Sequence, residues 1–313
     1  MAIVGVVLPM GSFNLSADRV WRAVFNPAAA SSDELLIVWE FRIPRILLGI
    51  LIGAMLAVAG ALMQSVTRNG LADPGLIGVT EGATVVILFT VIIDTGIPPQ
   101  WYPALGMVGG ALVAAFVLFL TRRAVGVKFV LIGIGVSAFL SAGISIFLTY
   151  GNISQVQSAM IWMAGSLAPA SWDIILRALP WAIAGLAAAV LTTRATDASL
   201  LGHTASTALG IRGFRLRIIL IATSVALTAA SVAAVGTLGF VGLVAPHLAR
   251  FLVGANQSAL IAGSAACGAV LVLLADSLGR LVFAPIQIPA GIVMALIGVP
   301  FFLWLLWRRR HTL

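Results

Sequence analysis

Long stretches of this chain carry no charge at all, and the charges it has fall in short gaps between apolar runs. A soluble chain covers its surface with roughly 25% charged residues; here 9% are charged and 61% are hydrophobic. Too few charges exist to face water on every side, so most of the outer surface must face lipid. Nine apolar runs stand out, at 46–66, 76–93, 103–120, 129–149, 174–192, 218–235, 238–253, 260–275 and 288–307. A hydrocarbon core about 30 Å thick takes about 20 such residues as a helix, and backbone in lipid must satisfy its own hydrogen bonds. The runs therefore predict helices; the alternation of a membrane barrel is missing. A further apolar stretch at 2–10 is too short to span and lacks the marks of a signal peptide. It reads as a half-helix or, preferably, as the remnant of a span whose true start lies upstream.

The gaps set the orientation. Arg68, Arg122, Arg123, Lys128, Arg194, Arg212, Arg215, Arg217, Arg250 and the basic tail at 308–310 occupy alternate gaps. The other gaps hold Arg19, Arg22, Arg42, Arg45, Arg177 and Arg280, with most of the acids. Positive-inside bias puts the first set and the C-terminus in the cytoplasm. The isoelectric point near 11.4 thus reports orientation in a membrane; no basic stripe with interleaved aromatics points to nucleic acid. The single cysteine, Cys267, allows no internal disulfide and reads as a small packing residue.

Several polar segments interrupt this pattern. Phe41-Arg42-Ile43-Pro44-Arg45 reads as a helix start, since a first-turn proline has no amide partner to lose. Gly49, Gly53, Ala57 and Gly60 follow at one-turn spacing, which suits close helix packing. The turn at 68–75 is rich in Asn-Gly and Asp-Pro-Gly chemistry and leads to Glu81, an acid close to an apolar span. Glu81 is either functional or an interfacial residue. The segment 158–167 reads as an interfacial or re-entrant helix anchored by Trp162 and Trp172. The gap at 194–217 contains LLGHTASTALG (200–210), a helix-like stretch ended by glycine. Against a plain solvated connector, a partner-docking helix explains better why it carries Leu200, Leu201, Ala205, Ala208 and Leu209. GTLGFVGLVAPHLAR (236–250) permits a break, and its His247 reads first as a structural histidine. Asp276 and Arg280, one turn apart, are expected to pair.

Catalytic chemistry is missing. The one lysine, Lys128, lies outside any P-loop pattern, and His203, His247 and His311 are scattered without a metal-binding spacing. No activated serine is visible, and buried carboxylates are few. The chain has the makings of a polytopic scaffold whose engine resides on another subunit.

FRIPR (41–45), GALMQSVTRNGLADPGLIGV (60–79), LGHTASTALGI (201–211), GTLGFVGLVAPHLARFLVG (236–254), ADSLGRL (275–281) and IPAGIVMALIGVPFFLWLL (288–306) occur in this order. Together they resemble the FecCD-type permease subunits of bacterial iron-siderophore, haem and cobalamin ABC importers, the type II importers. The likeness runs from about Trp39 to Arg308. It implies an all-α polytopic fold of about ten transmembrane helices, the first apparently truncated, with short re-entrant and coupling helices. Residues 1–313 would form a single transmembrane permease domain. It further implies a second permease copy or paralogue, two cytoplasmic ATPase subunits and an extracytoplasmic substrate-binding protein, with a ferric-siderophore-type substrate and no nucleic acid. No cofactor or metal is expected on this chain; ATP and Mg belong to the partner ATPase. ATPase coupling maps onto Leu201, Gly202, His203, Ala205, Ala208, Leu209 and Gly210, and binding-protein docking onto Arg42, Arg45 and Arg280 as rim charges. Gln64, Asn69, Glu81, Gly239, Pro246 and His247 are candidates for the translocation path or its gating. Where the family commonly has Asn-Pro-Leu-Ala, this chain has Asn69-Gly70-Leu71-Ala72. The alternatives are haem or cobalamin as cargo in the same importer class, an ion-gradient-driven carrier, and a membrane-embedded enzyme. The expected location is the bacterial cytoplasmic membrane.

Overall fold

The structure, a computed structural model, describes residues 5, 7–8, 15–92, 96–98, 101–121, 127–254, 256–282, 284 and 286–309. Arg122, Arg123, Asp94, Thr95, Pro99, Pro285, Arg310, His311 and most of the segment 2–10 lie outside the described residues, as do the side chains of His203 and Ala205. Among the described residues every element is helical. Six helices are long and apolar enough to span, and three shorter apolar helices accompany them. These nine coincide one for one with the nine apolar runs.

Helix α1 (Ala17–Phe25) is a short amphipathic helix. α2 (Ser32–Thr67) opens with a capping box between Ser31 and Glu34 and is the most enclosed of the spans. α3 (Val79–Ile92), α4 (Tyr102–Leu120) and α5 (Val127–Tyr150) follow, then the eleven-residue α6 (Ile153–Met163). α7 (Trp172–Leu191) runs into α8 (Thr193–Leu200) and the one-turn α9 (His203–Ala208). α10 (Gly213–Val235), α11 (Val241–Val253), α12 (Gln257–Leu281) and α13 (Ala290–Arg309) complete the chain. α2 forms the axis, with α7, α10, α11 and α12 packed around it, and α3 and α4 adjoin through α10. Glycines set this closeness. A Cβ at Gly53 would enter the Gly268 carbonyl, and one at Gly60 the Gly242 backbone, so helix packing is what the small residues of α2 serve.

Four boundaries differ from the sequence reading. The segment read as a helix at 158–167 is helical over Ile153–Met163. Pro44 takes the first turn of the α-helical segment Ile43–Thr67, as read, but that segment continues without a break from the π-helical stretch Leu36–Arg42, so α2 starts upstream of the proline. A wider turn there absorbs the missing amide and the bulk of the ring, which an α-helix interior would not. The stretch 200–210 is not one helix, since Gly202 takes a φ of 105° and separates α8 from α9. The run 238–253 becomes helical only at Val241, because Phe240 at its N-cap adopts a φ of 66°. The irregular backbone at 236–240 is partly buried in protein and otherwise lines a cavity, which are the conditions for tolerating it between membrane helices. Ser166 N–H donates to the Val235 carbonyl at 2.9 Å, Gly291 N–H to Gly165 at 2.9 Å, and the Thr237 hydroxyl to Met163. Trp162, half-buried, packs one side against Ala83, Ala229 and Val232.

Candidate functional site

The predicted coupling segment projects as a loop. Gly202 and Gly210, with φ of 105° and 73°, bracket α9, and open space surrounds both Cα positions. Left-handed backbone at both ends favours glycine for conformation rather than for room. Ser206 is buried and anchors the loop, its N–H donating to the Gly202 carbonyl at 3.1 Å and its own carbonyl accepting from Ile211 at 3.0 Å. Leu201 and Leu209 are 70% and 62% exposed, and Ala208 is exposed beside them. An apolar ridge on a polar, basic side of the molecule has no partner within this chain among the described residues.

The three arginines lie at the opposite end, and they are not rim charges. Arg42 is buried and donates to the Leu8 carbonyl at 2.9 Å. Arg45 grips both Asp276 oxygens at 2.8–3.1 Å and reaches Gln287 at 3.2 Å. Arg280 Nε stands 3.1 Å from Asp276 Oδ2, the expected one-turn pair. Asp276 is thus shared by two guanidiniums on α2 and α12, and the group carries a net positive charge inside a largely buried setting.

Gln64, Pro246 and His247 form a second cluster, toward the C-terminal end of α2. Pro246 has no N–H to give the Gly242 carbonyl four residues back. Gln64 Nε2 supplies that bond at 3.3 Å, and Gln64 Oε1 accepts from Arg250 at 2.7 Å. His247 is buried with its ring edge-on to Phe251 and Phe301 at centroid separations of 5.9 and 6.1 Å. Asn69 serves the turn: its Oδ1 accepts from Leu71 N–H at 2.9 Å.

Glu81 and Gly239 instead line a partly open cavity of about 490 Å³. Its wall draws on the 73–84 segment, α5, α10, the irregular 237–240 stretch and Phe302 of α13. Asp73, in the turn between α2 and α3, accepts from Gly75 N–H at 2.8 Å, and its other oxygen lies so close to Gly242 that no Cβ fits there. Burial pushes the Asp73 carboxyl up to about 6, against the pull of the Gly75 amide. Sequence spacing gave no sign of Ser137, Thr228 or Phe302, which reach this cavity only through the packing of distant helices.

Comparison with known proteins gives a consistent result. The FecCD transport family profile matches residues 1–308. The iron(3+)-hydroxamate import system permease protein FhuG of Bacillus subtilis (strain 168) is 34% identical, over 97% of this chain and 92% of that protein. The hemin transport system permease protein HmuU of Yersinia pestis is 35% identical, over 99% and 95%. Among solved structures, a metal-chelate type ABC transporter in an inward-facing conformation superposes with a TM-score of 0.86 at 28% identity, covering 98% of this chain and 96% of that one.

Proposed function

This chain belongs to the FecCD transport family, and from that premise we propose that it carries a ferric siderophore into the cell as one half of a permease pair. It is a multi-pass inner-membrane permease subunit of an ABC importer and not an enzyme; ATP hydrolysis belongs to a separate subunit. The observation that carries the coupling assignment is the leucine ridge at 201–209, held between two left-handed glycines. A cytoplasmic ATPase covers this ridge, and movement of that subunit is passed through α8 and α9 to α7 and α10. Arg42, Arg45 and Arg280 receive carboxylates of an extracytoplasmic binding protein, drawn there by the net positive charge of the triad. The C-terminus is cytoplasmic, as the basic residues imply. A second permease copy or paralogue faces α5, the least enclosed span. ATP and Mg act on the ATPase, and this chain holds no cofactor of its own. The chain itself supplies two conformations, which cargo and nucleotide bias in opposite directions.

Siderophore cargo draws support from the hydroxamate named for the Bacillus relative, and the hemin named for the Yersinia relative favours haem as the second reading. The coupling assignment is tested by co-expressing the chain with its ATPase and purifying through a tag on this chain. Leu201→Asp with Leu209→Asp is expected to reduce retained ATPase at least tenfold while the permease remains folded. Unchanged retention would remove the coupling assignment.

A further inference from the structure

Basic residues dominate this chain, 18 Lys and Arg against 10 Asp and Glu. The partly open cavity inverts that balance: it holds two carboxylates and, among its described lining residues, no base. Both acids are placed by the fold. Asp73 is fixed by the Gly75 amide, and Glu81, which accepts from the Ser137 hydroxyl on α5, feels the Asp73 charge. Around them lie polar atoms that bond to nothing. Glu81 Oε2 and the hydroxyls of Thr84 and Thr228 have no hydrogen-bond partner, and the two threonines, both lining the cavity, are only 1% and 3% exposed. Buried polar groups in native proteins are nearly always satisfied, so an orphaned carboxylate oxygen and two orphaned hydroxyls in one place point to an occupant.

The rest of the wall says what kind. Leu56, Ile144, Met163, Val232, Leu238 and Phe302 are apolar, and a volume of about 490 Å³ lies in the range of small-molecule sites, about 300–1,000 Å³. Two carboxylates with hydroxyls suit a cation, whereas an apolar wall of this extent suits carbon rather than the water shell of a metal ion. Phe240 and Phe302 add aromatic rings able to face a positive charge.

We propose that this cavity is a binding subsite for a positively charged organic group, an ammonium borne on an apolar or chelating body. The consequence for transport rests on the importer reading: the cargo is a chelate with such a group, and polyanionic chelates are disfavoured.

The permease–ATPase complex in nanodiscs, without its binding protein, is treated with dicyclohexylcarbodiimide, and labelling of Glu81 and Asp73 is read by mass spectrometry. Tetraethylammonium serves as the probe, since it cannot react with the carbodiimide. Labelling is expected to fall at least fivefold at saturating tetraethylammonium and to be unaffected by sodium at the same ionic strength. No protection, or equal protection by sodium, would overturn the proposal. Transport gives a second readout that does not depend on the reactivity of Glu81. Uptake of a ferric trihydroxamate with a pendant ammonium is divided by uptake of its neutral N-acetyl form, in wild type and in Glu81→Gln. The binding protein is the same in both, so its preference cancels. The ratio is expected to fall about tenfold, the equivalent of one lost ion pair in a poorly solvated site. An unchanged ratio would overturn the proposal. Protection by tetraethylammonium without transport of any chelate would instead sink the siderophore reading and leave the subsite standing.

Discussion

Removing the carboxylate of Asp276 is the sharpest perturbation of the arginine-rich end of the molecule. Its side chain is 5% exposed, and the guanidiniums it serves, on Arg45 and Arg280, are 15% and 7% exposed. Three Arg45 contacts of 2.8–3.1 Å make a forked, charge-assisted pair. Asp276→Ala leaves two cations buried near each other without the acid between them. Breaking a buried pair by deleting one partner costs about 3–5 kcal/mol, which for a chain of this size lowers the melting temperature by on the order of 6–10 °C. Asp276→Asn keeps the shape but not the charge and is expected near the lower end. Replacing all three together, Arg45→Met with Asp276→Leu and Arg280→Met, removes the ions as a set and is expected to recover most of the loss. That triple variant should nonetheless fail to capture the binding protein, which separates docking from stability. The assay is a thermal melt of the detergent-purified complex, paired with binding-protein pull-down. Melting of Asp276→Ala within about 1 °C of wild type would show that the guanidiniums are hydrated and refute the buried triad. Charge reversal at Arg45 is the poorer test of docking, because a second carboxylate would then face Asp276.

Two further outcomes follow from the geometry. Gly60→Val drives a branched side chain into the Gly242 backbone and is expected to cost about 1–3 kcal/mol or more; a melting temperature unchanged from wild type would contradict the close α2–α11 crossing. Asp73 has a carboxyl raised from 3.8 to about 6, so the folded state holds its proton more tightly than the unfolded chain. Its contribution to stability is complete below about pH 4 and is lost as pH rises through about 6, by up to about 3 kcal/mol. Asp73→Asn should therefore melt above wild type at pH 8, with the difference shrinking toward pH 4; a difference independent of pH would rule out the buried carboxyl.

Helix number and membrane placement were legible because each depends on one local quantity, the length of an uncharged apolar run. Local chemistry was legible where it stays within one turn, as for Asp276 and Arg280 or for the Asn69 turn. Tertiary convergence was not. Arg45 lies 231 residues from Asp276, and nothing in either neighbourhood announces the other. Pro44 does stand in the first turn of an α-helical segment, but the π-helical stretch before it has no clear sequence signature, so the continuous helix reaches back to Ser32. Gly202 and Phe240 broke elements through single left-handed residues, one glycine among 32 and one aromatic for which that conformation is rare. The cavity was hidden most completely, being assembled from seven segments of the chain whose polar residues look ordinary in isolation.

Energy coupling is the central claim, and reconstitution measures it directly. Proteoliposomes carrying the complete importer are loaded with ATP and Mg, and uptake of a ⁵⁵Fe-labelled siderophore is followed with the binding protein outside. Uptake is expected to require hydrolysable ATP, to persist when ionophores collapse every ion gradient, and to stop with the Leu201→Asp, Leu209→Asp variant. Uptake that proceeds without ATP and disappears with an ion gradient would contradict the account.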